Sequence, residues 1–209
     1  MYRKFGKRLL DIVVSLIALP FVGLVILLFA PVIYLTDKGP VFYNAPRRGR
    51  NGRVFKMFKL RSMKVNAPLL KNADGSAYSG NDDPRTTKIG RIMRKLSIDE
   101  LPQILNVLIG DMSFVGPRPT LVAGNYEAFD AVRKKRLTVR PGITGYAQAY
   151  FRNAITQEEK FRKDCEYVDR LSFRFDMQIL WQTVMSVVRS RNINYRESAV
   201  QADGKDVAR

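Results

Sequence analysis

The chain has 209 residues, 46% of them hydrophobic, and 36 Lys and Arg against 19 Asp and Glu give it a formal charge of +17. It has no histidine and one cysteine, Cys165, which excludes a histidine base, an intrachain disulfide and a zinc site built from Cys or His. Residues 1–64 hold thirteen Lys and Arg and two Asp, a net charge of +11. This basic region predicts polyanionic partners, which are nucleic acid, anionic lipid headgroups or phosphorylated substrates.

The first predicted element is a membrane helix over residues 1–36. Residues 12–35, IVVSLIALPFVGLVILLFAPVIYL, form a 24-residue run without a charged side chain, and about 20 apolar residues suffice to cross a bilayer. The run is long for a signal peptide and lacks a good cleavage site. A buried core helix is the other alternative, but helices that are hydrophobic all round are rare in a domain of this size.

The flanks of this run predict a re-entrant helix that dips into the membrane and returns. Lys and Arg side chains precede and follow the run, and positive flanks tend to stay on the cytoplasmic side. Pro20 lies inside the run and is the predicted hinge, because proline removes a helical hydrogen bond. Asp11 is expected to meet Lys7 or the headgroups. A kinked single span remains the alternative.

After the membrane segment, residues 38–63 predict β structure. Asn51-Gly52 is a good two-residue turn for a hairpin, and Val, Phe and Tyr flank it. Residues 72–87 are polar and rich in turn-forming residues, which predicts a mobile loop.

An adjacent carboxylate pair, Asp99 and Glu100, opens the stretch LSIDELPQILNVL. Ser97 and Glu100 have the spacing of a capping box, and Gly110 is a fitting helix stop. The apolar side chains recur at helical spacing and predict one buried face, formed by Leu101, Ile104, Leu105 and Leu108. The acids would then lie in a first helical turn, where acidic residues are common because they stabilise the helix, without any catalytic role.

Arginines around this pair favour a chemical role. Arg91, Arg94 and Lys95 precede it, Arg118 stands between two prolines that stiffen its backbone, and Arg140 and Arg152 follow. Preorganised guanidinium groups bind phosphate oxygens, whereas carboxylates hold Mg²⁺ or attack phosphorus. The sequence therefore predicts phosphoryl chemistry at this pair.

Several blocks of the sequence resemble one known family. The blocks are KRLLDIVVSL, GPVFY, FKLRSM, KIGRIMRKLSIDELPQILNVLIGDMSFVGPRP and VRPGITGYAQ, and they cover about residues 3–190. In this order they resemble the bacterial sugar transferases, the monotopic polyprenyl-phosphate phosphoglycosyl transferases. The resemblance implies a re-entrant helix in the cytoplasmic leaflet of the bacterial inner membrane. It also implies transfer of a sugar-1-phosphate from a UDP-sugar to undecaprenyl phosphate, with release of UMP, as the first membrane step of an exopolysaccharide, capsule, O-antigen or glycoprotein glycan pathway.

The same resemblance implies roles for particular residues. Asp99 matches the nucleophile that forms a covalent phosphosugar intermediate, and Glu100 matches the neighbour that binds metal or activates the lipid phosphate, with Mg²⁺ as cofactor. Further family positions fall on phosphate-binding arginines (Arg94, Arg118 and Arg152) and on residues of the substrate pocket (Lys59, Gln148, Asn153 and Asp164). The family's Ser-Pro pair is here Leu19-Pro20, and Tyr146, Tyr150 and Phe151 replace its Trp, Asn and Gly.

The predicted fold is α+β, with the re-entrant helix followed over residues 37–191 by a small cytoplasmic helical domain that has a short β-hairpin and interfacial amphipathic helices. In residues 175–188 one apolar helical face is expected to pack in the core or to lie on the membrane: Met177, Leu180, Trp181, Val184, Val187 and Val188. Residues 192–209 are expected to be disordered.

Two other classes of protein compete with this interpretation. A nucleic-acid-binding protein would explain the charge, but no basic recognition helix or zinc spacing is present, so no nucleic acid is expected as partner. A non-catalytic membrane anchor of a polysaccharide assembly complex would leave the acids inert. The sequence leaves the transferred sugar and the oligomeric state open, with a homodimer among the alternatives.

Overall fold

The computed structural model describes residues 1–68, 70, 78, 83–152 and 154–188. In these ranges the chain begins with a π-helical turn at Tyr2–Gly6 and then forms seven α-helices and five strands. The helices are α1 (Lys7–Asp37), α2 (Lys88–Lys95), α3 (Gln103–Ile109), α4 (Ala131–Arg136), α5 (Tyr146–Tyr150), α6 (Gln157–Arg170) and α7 (Phe173–Val188). The strands are β1 (Ala45–Arg48), β2 (Val54–Met57), β3 (Ser113–Val115), β4 (Thr120–Leu121) and β5 (Gly142–Thr144). The predicted mixture of helices and strands is confirmed.

Helix α1 is the predicted apolar helix, and its length and composition suffice to cross a membrane. The helical backbone continues through Pro20 and Pro31, so the hinge at Pro20 stays a prediction. Most of the large apolar side chains on α1 are exposed. The expected contact of Asp11 with Lys7 is not found. Instead, Asp11 Oδ1 accepts hydrogen bonds from Ser113 Oγ at 3.0 Å and Phe114 N at 3.2 Å.

Both ends of α1 are attached to the folded domain. At its start, the Arg8 guanidinium donates to the carbonyl oxygens of Val107 and Leu108 at the end of α3. At its end, Asp37 accepts from Arg61 Nη1 at 2.6 Å. Between them, side chains of α1 join a core cluster with Leu60 and Met93 (Ile26, Phe29 and Ile33). The helix therefore contacts the domain at both ends and in between, and is not anchored to it at one end alone.

The β-hairpin is confirmed, but its predicted two-residue turn is wrong. Strands β1 and β2 pair antiparallel with Arg48 opposite Val54, so five residues connect them. Asn51 and Gly52 have the left-handed φ values of 53° and 78° that this dipeptide favours, and Asn51 N also donates to Leu137 O. Strand β4 pairs antiparallel with β1, and β3 and β5 form a separate parallel pair.

Helix α7 buries a face other than its predicted apolar face, so of the two alternatives for that face, contact with the membrane stays a prediction. Phe175 and Ile179 enter the core with Val115, Ala149 and Tyr167, and Asp176 is buried beside them. Among the described side chains of the predicted face, Leu180 packs against this cluster, while Met177, Trp181 and Val184 are exposed. The side chains of residues 187 and 188 lie outside the described part of the chain, as does the tail from residue 189.

Helix α3 likewise turns another face inward. Ile104, Asn106 and Val107 are buried, whereas the predicted Leu101, Leu105 and Leu108 are only half-buried. The Asn106 side chain explains the difference, because its Oδ1 accepts from Phe58 N and its Nδ2 donates to Lys56 O, both at 2.8 Å. A polar side chain thus occupies the interior, with both its oxygen and its nitrogen hydrogen-bonded to backbone. Gly110 ends the helix as predicted, with φ at 96°.

Candidate active site

The carboxylate pair lies in a short 3₁₀ turn, Ile98–Glu100, directly before α3. Ser97 is left-handed, with φ at 57°, and its side chain makes no capping hydrogen bond, so the predicted capping box is wrong. Helix α3 begins only at Gln103, with Pro102 as its N-cap residue. The acids therefore precede the helix, and the Asp99 carbonyl accepts from Leu60 N at 3.0 Å.

Lys59 is the cation nearest to the carboxylate pair. Its Nζ donates to Glu100 Oε1 at 2.6 Å and lies 3.9 Å from Asp99 Oδ2. All three side chains are largely buried, since 17% of Lys59, 10% of Asp99 and 22% of Glu100 are exposed. Lys59 follows β2, and the bond from Leu60 N to Asp99 O brings the two segments together. The structure thus places the predicted pocket residue Lys59 at the centre of the site.

Two of the predicted phosphate-binding arginines, Arg94 and Arg118, act on the pair through their charge. Arg118 Nη2 is 3.8 Å from Glu100 Oε1, and 60% of the Arg118 side chain is exposed. Arg94 donates to Thr86 Oγ1 at 3.0 Å and lies 3.7 Å from Asp83 Oδ2. Arg94 is therefore held in place by its neighbours, whereas Arg118 presents an open guanidinium group.

The two carboxyl groups have opposite pKa shifts. Burial raises the pKa of Asp99, and this effect outweighs the opposing charge of Lys59. Burial also raises the pKa of Glu100, but the charges of Lys59, Arg118 and Arg94 outweigh it and lower the value to about 2. Glu100 is thus ionised at neutral pH, and Asp99 is the more easily protonated of the two.

The backbone of Arg118 is fixed by more than its two flanking prolines. Arg136 Nη2 donates to the Arg118 carbonyl at 2.7 Å and to Asp164 Oδ2 at 2.8 Å. The Arg136–Asp164 ion pair is buried, with 3% and 5% of the two side chains exposed. Asp164, predicted to line the substrate pocket, thus contacts Arg136, which in turn positions Arg118. Sequence reasoning missed Arg136, because its partner is 28 residues away.

Of the remaining predicted residues, Gln148 lies on α5 and Arg152 follows it. Gln148 Nε2 donates to Ile143 O at 3.4 Å, and in the described part of the chain its buried Oε1 has no hydrogen-bond donor. Arg152 follows α5 in a left-handed conformation, with φ at 48°. Asn153 lies outside the described residues.

Arg47 is a further candidate that the sequence did not single out for the site. It is half-buried on β1, and its pKa is lowered by burial and by the neighbouring charge of Arg118. Only the pairing of β1 with β4, just after Arg118, brings the two arginines together. Its one sequence signal, the Arg47-Arg48 doublet, is common to any basic region.

Fold and site together define an α+β protein with a long apolar N-terminal helix and a carboxylate pair surrounded by cations. The chain belongs to the bacterial sugar transferase family, which it matches over residues 2–190. The family and the transferase class predicted from the sequence are thereby confirmed.

Individual relatives cover the chain almost completely. It is 43% identical to a galactosyl transferase, CpsE, of Streptococcus agalactiae, over 88% of this chain and 42% of that protein. It is 43% identical to an uncharacterized sugar transferase, EpsL, of Bacillus subtilis, over 90% of this chain and 89% of that protein. It is 39% identical to the UDP-glucose:undecaprenyl-phosphate glucose-1-phosphate transferase of Escherichia coli, over 85% of this chain and 39% of that protein. The chain thus spans less than half the length of two of these relatives.

Proposed function

We propose that the chain transfers a sugar-1-phosphate from a UDP-sugar to undecaprenyl phosphate, giving a polyprenyl-diphospho-sugar and UMP. Support comes from the Escherichia coli relative, whose name states this reaction for glucose. The observation that carries the proposal is the buried Asp99 beside Glu100, with Lys59, Arg94 and Arg118 around them. Such a group of cations stabilises phosphate oxygens near an anionic nucleophile.

The reaction proceeds in two displacements. First, an Asp99 carboxylate oxygen attacks the sugar-bearing phosphorus, forming an acyl phosphate bond while the bond to the UMP oxygen breaks and UMP leaves. Second, an oxygen of undecaprenyl phosphate attacks the same phosphorus, and the Asp99 carboxylate leaves. Arg118 and Lys59 offset the repulsion between the anionic nucleophile and the anionic phosphate in both steps.

We propose that Mg²⁺ binds at the carboxylate pair. Among the described residues, no group of three or more His, Cys, Asp or Glu is placed to hold a metal. Asp99 and Glu100 nevertheless fit Mg²⁺, which is usually held by one or two carboxylates together with substrate phosphates. When bound, the ion would neutralise charge on the transferred phosphate. Glu100 has two candidate roles, holding this ion or accepting a proton from the lipid phosphate.

We also propose that α1 is re-entrant, with the domain on the cytoplasmic face of the bacterial inner membrane. The attachments of Arg8 and Asp37 to one domain support this topology, because a straight span would separate its two ends by the thickness of the bilayer. The exposed side chains of Met177, Trp181 and Val184 on α7 support an interfacial helix on the same side.

The nucleophile is tested by a covalent adduct. Purified full-length chain is given a UDP-sugar and Mg²⁺ without lipid phosphate, and the peptide containing Asp99 is analysed by mass spectrometry. We expect a mass gain of one phosphosugar, release of UMP before lipid phosphate is added, and ping-pong kinetics. Asp99→Asn should form no adduct and be inactive. An adduct on Glu100, or sequential kinetics without an adduct, would contradict the assignment.

Single-turnover experiments separate the two roles of Glu100. If Glu100→Gln forms the adduct but does not pass it to undecaprenyl phosphate, the residue activates the lipid phosphate. If the variant forms no adduct and its Mg²⁺ dependence is lost, the residue holds the ion. Absence of UMP release by the wild-type chain across a panel of UDP-sugars would instead favour the non-catalytic membrane anchor.

A further inference from the structure

A second cluster of arginines surrounds a cavity of about 320 Å³ that is separate from the carboxylate pair. The cavity lies between the β1–β2 connection and the end of α3, and Arg50, Arg53, Arg140, Gly110 and Asp111 contribute to its lining. We call it the basic cavity. It contains Arg140, which sequence reasoning had associated with phosphate chemistry but which the site at Asp99 does not use.

Arg8 lies at the edge of the basic cavity. A Cβ atom added to Gly110 would be 3.4 Å from Arg8 Nη2. The Arg140 pKa is lowered by burial and by the charges of Arg8 and Arg50, which outweigh the opposing charge of Asp11. The cavity thus brings four guanidinium groups close together with Asp111 as the acid in its lining. Among the described residues, no carboxylate lies within ion-pair distance of any of the four.

Capping of α3 accounts for only part of this cluster. Arg8 donates to the carbonyls of Val107 and Leu108, and Arg140 Nε donates to Gly110 O at 2.8 Å. These bonds satisfy the negative end of the helix. Arg50 bonds elsewhere, to Thr138 O through Nε at 3.1 Å. Arg50 and Arg53 therefore add positive charge that the helix end does not require.

The basic cavity is too far from the carboxylate pair to share its substrate phosphates. Arg53 precedes β2 and Lys59 follows it, and six residues of extended chain span roughly 20 Å. The cavity instead lies at the start of α1, because Arg8 is the second residue of that helix. If α1 enters the membrane as proposed, the cavity is at the bilayer surface.

We propose that the basic cavity is a second anion site that binds a phosphate group outside the sugar-transfer site. Its position favours the phosphodiester headgroup of an anionic phospholipid, and a soluble phosphate is the other source of the same chemistry. Guanidinium groups suit either, since they donate paired hydrogen bonds to phosphate oxygens. Binding at this site does not depend on the identity of the transferred sugar.

The test uses the full-length chain in detergent and two probes. Native mass spectrometry compares retention of phosphatidylglycerol and phosphatidylcholine supplied in equal amounts, and thermal unfolding is compared in phosphate and in chloride at equal ionic strength. The test variant is Arg50→Gln/Arg53→Gln, which leaves the caps of α3 intact. The control, Arg133→Gln/Arg162→Gln, removes two exposed arginines from α4 and α6.

We expect the wild type and the control to prefer phosphatidylglycerol, and the test variant to bind it about 25-fold more weakly, because each arginine contributes roughly fivefold. This result assigns a lipid headgroup. Stabilisation by phosphate in the wild type and the control only, without a lipid preference, assigns a soluble phosphate. Equal retention of both lipids with no effect of phosphate overturns the proposal, and so does a test variant that matches the control. Since no turnover is measured, failure here leaves the proposed transfer reaction unaffected.

Discussion

Lys7 and Asp176, 169 residues apart, form an ion pair with 2.6 Å between Nζ and Oδ2. The Asp176 carboxylate also accepts hydrogen bonds from Tyr2 Oη at 2.5 Å and from Tyr167 Oη at 2.8 Å. Only 2% of the Asp176 side chain is exposed. One buried carboxylate thus joins the start of α1 to α6 and α7.

Asp176→Ala should therefore destabilise the protein strongly. The change leaves Lys7, Tyr2 and Tyr167 without their common acceptor, and removal of one partner of a buried ion pair costs about 3–5 kcal/mol. Thermal unfolding in detergent would measure the loss. Asp169→Ala is the control, because Asp169 is 59% exposed in its ion pair with Lys135 and such pairs contribute about 0–1 kcal/mol. Equal stabilities of the two variants would contradict this role of Asp176.

Lys59→Gln should lower sugar transfer by at least about tenfold, or roughly 1.4 kcal/mol. The variant loses the nearest positive charge to Glu100, and the pKa values of both Glu100 and Asp99 should rise, since the Lys59 charge lowers each of them. Steady-state kinetics would measure the loss. Lys56→Gln is the matched control, because Lys56 is exposed on β2, just before Lys59. If both variants keep full activity, Lys59 is not part of the site.

Arg118→Lys should lose more activity than its retained charge suggests. An ammonium group does not reproduce bidentate binding of phosphate from a fixed backbone, and loss of one preorganised donor costs about 2.7–4 kcal/mol of transition-state stabilisation. The measurement is kcat/KM with a UDP-sugar. A variant within about twofold of the wild type would exclude Arg118 from the site.

Arg136→Lys tests whether Arg136 positions Arg118 for substrate binding. Lysine keeps a charge opposite Asp164 but does not reproduce the fork that reaches both Asp164 and the Arg118 carbonyl. We expect KM for the UDP-sugar to rise several-fold while the chain stays folded. Arg133→Lys, on an exposed position of the same helix, should leave KM unchanged. An unchanged KM in both would remove Arg136 from the positioning of Arg118.

The topology of α1 is tested by labelling. Cys165 is replaced, single cysteines are placed near residue 3 and near residue 205, and intact cells are treated with an impermeant thiol reagent. We expect both cysteines to be protected, because a re-entrant helix keeps both ends in the cytoplasm. Pro20→Ala should increase labelling of one end, since it restores a continuous hydrogen-bond ladder that favours spanning. Labelling of one end in the wild type would indicate a spanning helix.

Local patterns in the sequence predicted several features that the structure confirms. They include the apolar helix, the β-hairpin and the helix stop at Gly110. These features depend on composition, on turn-forming residues or on short motifs. Resemblance to a known family added Lys59, which composition and spacing alone do not single out.

Other features depend on contacts between distant segments and could not be predicted. The periodicity of α7 shows that Met177 and Trp181 share a face, but not whether protein or another apolar surface covers it. Helix α7 instead buries Asp176, whose partners Lys7 and Tyr2 lie at the other end of the chain. The capping box failed because the turn at Ser97 is determined by tertiary contacts, among them the bond from Leu60 N to Asp99 O.

The Asn106 amide has a consequence for how the region around the site tolerates mutation. Its two hydrogen bonds recognise only the peptide groups of Phe58 and Lys56, which nearly every amino acid offers. Substitutions at 56 and 58 therefore preserve this link, except proline at 58, which has no N–H group. Asn106 itself has no such freedom, because Asp lacks the donor and Leu lacks both groups. In a saturation mutagenesis library, position 106 should therefore be nearly invariant, while positions 56 and 58 should tolerate many amino acids.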